Sequence, residues 1–137
     1  MPQSISDNEL LARLIFSPRY CNDLLTFFNY RFITLRPNED GISCCRFSLM
    51  TEDAVNQRGK QLARKDIYKG FALALVNDIV SIDNECVTVV ATSDDHAEIR
   101  FFLDGEQVRG NTRISQLQFF FDEIRDLFLK RVVRYDG

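Results

Sequence analysis

A chain of 137 residues that is 45% hydrophobic and 27% charged has the size and mix of one globular domain, which excludes intrinsic disorder. A formal net charge of −3 and a pI near 5.2 argue against a generic basic face, and so against nucleic acid or an anionic membrane as partner. No apolar run approaches the roughly 20 residues that span a bilayer, and the N-terminus lacks a basic region ahead of an apolar core, so an unanchored cytoplasmic protein is expected.

The elements follow in chain order. Ser6-Asp7-Asn8-Glu9 sets a hydroxyl and a carboxylate three residues apart before Leu10, Leu11, Leu14 and Ile15, which predicts a helix over about 7–16. Ser17-Pro18 then suits the start of a second short helix with Leu24, Leu25 and Phe28 facing inward. Alternation from Tyr30 to Arg36 predicts a strand, Pro37 to Gly41 a turn, and Ile42 to Met50 the second strand of an antiparallel hairpin. Thr51 caps a helix over about 52–65, with Glu52 and Asp53 complementing the positive end of its dipole. The segment 66–80 fits either a helix or a strand near 70–74 followed by a helical turn, and the second reading is preferred. Strands are expected over Cys86–Thr92, Ala97–Leu103 and Glu106–Arg109, the last two joined at Asp104-Gly105. Finally Leu117, Phe120, Phe121, Ile124, Leu127 and Phe128 form a complete helical stripe. The whole predicts one α+β domain: an antiparallel sheet of about five strands covered by the C-terminal amphipathic helix, with the N-terminal helices and the 52–65 helix packed around it.

The core should be assembled around phenylalanine, with twelve copies and no tryptophan. Cys21, Cys44, Cys45 and Cys86 show no metal-gripping spacing and read as small reduced hydrophobes. No cofactor is expected, because phosphate-cradling loops, nucleophile elbows and zinc-protease helices are all missing from the sequence. Asp94, Asp95 and His96 are consecutive, and three consecutive residues rarely converge on one ion, so no metal is expected either.

His96 is the only histidine, and neighbouring carboxylates would favour its charged form, as an acid/base group requires. The plainer reading is a turn histidine hydrogen-bonded to a neighbour. Arg46 and Arg100 could form an anion-reading face if their strands are adjacent; otherwise each is a surface arginine laid over apolar neighbours or paired with an acid such as Glu98. Lys130, Arg131 and Arg134 read as a favourable end to the preceding helix.

Ile42-Ser43-Cys44-Cys45-Arg46, Tyr68-Lys69-Gly70-Phe71-Ala72 and His96-Ala97-Glu98-Ile99 together resemble a loose group of small uncharacterised bacterial proteins. These share a "hydrophobic-Ser-hydrophobic-x-Arg" strand, a "Tyr-x-Gly-(aromatic or Val)-Ala" stretch and a "His-Ala-x-hydrophobic" strand. The likeness covers about the central half of the chain, and Cys44 and Cys45 depart from its usual choices. It implies a bacterial origin and a shared fold, carries no established activity, and groups Arg46, Tyr68 and His96 as a candidate cluster.

The expectation for function is a non-catalytic interaction or accessory protein, engaging a protein partner or a second copy of itself. The alternative is a small enzyme or ligand-binding protein for an anionic or phosphorylated substrate, with Arg46, Tyr68 and Arg100 as contacts and His96 as acid/base.

Overall fold

The run Leu10 to Phe16 has helical spacing, yet in the computed structural model, which describes residues 2–110 and 113–137, Leu10–Ser17 is a strand, β1. It lies in the interior of the sheet, between β2 (Ile42–Arg46) and β3 (Ile67–Leu75). A strand covered on both faces needs apolar residues at consecutive positions, and Leu11, Ala12, Ile15 and Phe16 are all buried. That position in the sheet overturns the expected first helix. The Ser6–Glu9 pair closes a turn instead, Glu9 N–H donating to the Ser6 carbonyl at 3.0 Å, while the Glu9 carboxylate goes to Arg46.

The expected second helix is also absent. Pro18 follows Ser17 through a cis peptide bond, and the chain folds into a loop closed by a Cys21–Phe28 bridge. Asn22 organises the loop, its Oδ1 accepting from the amides of Thr26 (2.9 Å) and Phe27 (3.1 Å), local bonds that compete with helix. The strand expected over 30–36 is a single 3-10 turn, Tyr30–Phe32, capped by Asn29, and it contributes to the core by burying Phe32, Ile33 and Leu35. β2 therefore has no hairpin partner there. It pairs with β1 and with β5 (His96–Leu103), and it ends at Arg46 because Phe47–Leu49 turns as 3-10.

The later elements match the sequence, except that no strand was expected after the last helix. Helix α1 spans Glu52–Leu62, with the Thr51 hydroxyl accepting from Ala54 N–H at 3.1 Å. β3 runs directly into the short helix α2 (Val76–Val80), followed by β4 (Val87–Ala91), β5 and β6 (Glu106–Val108). Helix α3 covers Gln118–Leu129, and the basic tail after it is a strand, β7 (Val132–Arg134), paired with β3.

The described residues thus hold seven antiparallel strands, more than the five expected, in the order β4-β5-β2-β1-β3-β7, with β6 on the same flank of β5 as β2. β3 bulges where Ile15 pairs Gly70 and Phe16 pairs Tyr68. Gly70 takes φ 122° there, and a Cβ would sit 2.0 Å from the Val133 carbonyl, so only glycine lets β7 approach. The larger core lies under α3, where Phe121, Ile124 and Phe128 meet Ile42, Ile99 and Phe101 of the sheet. The smaller, around Ala12, Cys45, Val55, Phe71 and Leu73, lies under α1. Cys44 and Cys45 fall in different cores, as adjacent strand residues must. No helix of the described residues is long and apolar enough to cross a membrane.

Candidate functional site

The four residues singled out from the sequence do not converge. Arg46 is 0% exposed, and each of its five N–H donors has an acceptor. Nε and Nη2 fork onto the Glu9 carboxylate (2.8 and 2.9 Å), Nη1 reaches the carbonyls of Gln3 (2.6 Å) and Ser93 (3.1 Å), and Nη2 also reaches Ser4 (3.1 Å). With no donor left for a ligand, it ties the N-terminal segment and the 93–95 turn to the end of β2. Arg100 sits further along β5, beyond the Ile42↔Ile99 pair, and donates from Nε and Nη2 to Glu98 Oε1 at 3.0 and 2.8 Å.

Tyr68 is buried beneath α1. Its hydroxyl donates to Asn56 Oδ1 at 2.7 Å, burial pushes its phenol well up, and its ring fills the space a side chain at Gly59 would need. It fastens a helix to the sheet and meets Phe16 ring to ring at 6.0 Å.

His96 alone opens onto a cavity. β1 and β2 hold register at Leu11↔Arg46 and Ala12↔Cys45, and beyond those pairs the ladder between them opens. The opening is lined by Leu14 and Phe16 from β1, Cys45 from β2, Leu62 from α1 and His96, and has a volume of about 550 Å³. Five arginines complete it: Arg13 from β1, Arg19 and Arg36 from the 18–41 segment, Arg58 from α1 and Arg64 just after it.

Three of these cations are paired directly: Arg19 with Asp66 at 2.6 Å, Arg36 with Glu39 at 3.0 Å and Arg58 with Asp95 at 2.8 Å. Arg13 has neutral partners. Its Nε donates to the Phe32 carbonyl (3.0 Å), Nη1 to the Ser43 carbonyl (2.9 Å) and Nη2 to the Tyr20 hydroxyl (3.3 Å). Arg64 is exposed and has neither ion pair nor hydrogen bond to a described side chain. It takes φ 52° where the chain leaves α1, a left-handed conformation that glycine adopts freely and arginine does not.

The titratable groups record the resulting potential. Burial opposes ionisation of the Tyr20 phenol, but Arg13, Arg19 and Arg36 outweigh it and bring the group below its ordinary value. Burial pushes the Cys45 thiol up to about 11, against the pull of Arg58, so it remains protonated at neutral pH. His96 departs from expectation: burial lowers it, aided by Arg58 and against Glu98 and Asp95, so the neutral ring prevails, hydrogen-bonded through Nδ1 to the Thr92 hydroxyl. Asp95 is held low by the Ser93 hydroxyl and by Arg58, which engages it away from the ring.

The five cavity arginines carry no local signature in the sequence, because 51 positions separate Arg13 from Arg64 and no motif joins them. One signal was present: thirteen of the seventeen basic residues are arginine, the side chain whose planar fork suits anions. No group of three or more His, Cys, Asp or Glu among the described residues could hold a metal ion. No protein-family model, curated protein or solved structure matches the chain.

Proposed function

We propose that the protein binds a small anionic molecule in the arginine-lined cavity. The observation that carries this reading is charge gathered against the trend of the chain. A protein of net charge −3 collects five arginines on one cavity, and Arg13 and Arg64 lack a carboxylate partner among the described residues. A volume of about 550 Å³ suits a small molecule. Leu14, Phe16 and Leu62 add an apolar wall to a lining otherwise dominated by forked donors. Burial keeps the Cys45 thiol protonated, which removes it as a nucleophile in the cavity.

Calorimetric titration with citrate and with inorganic phosphate, against glycerol as the uncharged control, tests the reading. One site whose affinity falls as sodium chloride rises, and falls again in Arg64→Ser, supports it. Absence of binding by either anion refutes it.

The protein partner or second copy expected from the sequence has its own support in Leu24, Phe27 and Tyr30, which are 67%, 67% and 72% exposed on the 18–41 segment. Light scattering on the wild type and on Phe27→Asp tests self-association. A concentration-independent monomer would remove that version of the reading.

A further inference from the structure

We infer that the anion is a phosphomonoester, held as a dianion and carried on a small apolar body. This rests on the cavity being an anion site. Five cavity cations set against three directly paired carboxylates leave two charges without a counterpart, those of Arg13 and Arg64. His96 adds none while its ring is neutral. Two surplus charges on one open cavity are matched by one group of charge near −2, which a phosphomonoester carries at neutral pH and a carboxylate or sulfate ester does not.

Donor geometry agrees. Arg13 uses three of its five N–H donors on Phe32, Ser43 and Tyr20, which fixes the guanidinium and leaves two donors for a ligand. Arg64 keeps all of its side-chain donors. Three terminal phosphate oxygens bearing nearly two charges can accept from both forks, whereas a carboxylate offers two oxygens and a single charge. Leu14, Phe16 and Leu62 line the same space and suit the organic part of an ester better than free phosphate.

Arg64 takes φ 52° directly after α1, the left-handed position that ends many helices, so Arg64→Gly removes the side chain without a backbone cost.

The test is a calorimetric series on the full chain at pH 7.5. Phenyl phosphate and phenyl sulfate share shape and oxygen count but differ by one charge, and inorganic phosphate lacks the apolar body. Phenyl phosphate is expected to bind at least tenfold more tightly than phenyl sulfate and severalfold more tightly than inorganic phosphate. In Arg64→Gly the preference for phosphate over sulfate should collapse to within about threefold, with the thermal midpoint unchanged or raised. Equal affinity for the two esters overturns the dianion inference while leaving the anion site standing. Inorganic phosphate binding as tightly as phenyl phosphate overturns the apolar body. If none of the three binds, both readings fall.

Discussion

Replacing Arg46 by methionine should destabilise the protein by about 3–5 kcal/mol, the range for removing one partner of a buried ion pair. The structure places it there because Glu9 is 5% exposed and its two oxygens take the Nε and Nη2 donors at 2.8 and 2.9 Å. Methionine fills similar volume but strands that carboxylate, together with the carbonyls of Gln3, Ser4 and Ser93. A domain of this size has about 5–15 kcal/mol in all, so the variant should be folded but marginal, with its thermal midpoint lowered by on the order of 10 °C or more. Urea unfolding followed by circular dichroism at 25 °C reads the change, and an unaltered m-value confirms that the same surface is exposed. The double variant Glu9→Leu with Arg46→Met should lose at least 2 kcal/mol less than the sum of the single losses, because it leaves no orphaned charge. A loss below about 1 kcal/mol for Arg46→Met, or simple additivity in the double variant, would mean that the Glu9–Arg46 pair is not structural and that Arg46 is free to meet a ligand.

Three further outcomes follow from the same structure. Gly59→Ala would set a Cβ 2.2 Å from the Tyr68 ring, so chemical denaturation should show a loss of about 1–3 kcal/mol; Tyr68→Phe, which removes the 2.7 Å bond to Asn56, should lose about 1 kcal/mol. Because burial lowers His96, the unfolded chain takes up its proton first as pH falls; stability contributed by the neutral ring is complete above about pH 6.5 and declines below it. Denaturation midpoints between pH 7.5 and 5 should therefore drop less in His96→Gln than in the wild type. Burial pushes Cys21 and Cys45 up to about 11 and Cys44 to about 12, so thiol labelling at pH 8 should reach half-buried Cys86 first and the other three only on unfolding.

The C-terminal two thirds of the fold was legible because its signals are local. Thr51 with two following acids marks a helix start, Asp104-Gly105 marks a hairpin, and the Phe121–Ile124–Phe128 stripe marks the face of α3. The N-terminal third was misread because its structure is set by distant partners. Leu10–Ser17 carries helix-forming residues at helical spacing, and its place between β2 and β3 makes it a strand buried on both faces. Glu9 looks like a capping residue until Arg46, 37 positions away, claims it. That error spread to the candidate site, since Arg13 falls within the expected helix and the opening between β1 and β2 could not be foreseen. Of the four candidate site residues, only His96 lines the cavity, and its charge state was misjudged because the effect of burial outweighs that of the neighbouring carboxylates.

The claim that the arginine-lined cavity is an anion site is tested most directly by titrating inorganic phosphate into the nitrogen-15-labelled protein and mapping the amide shifts. Saturable changes are expected, centred on Arg13, Tyr20, Ser43, Cys45, Arg58, Arg64 and His96, which line the opening between β1 and β2. Changes centred on Arg100 or on the basic tail around Arg131 and Arg134, or changes that never saturate, would contradict it.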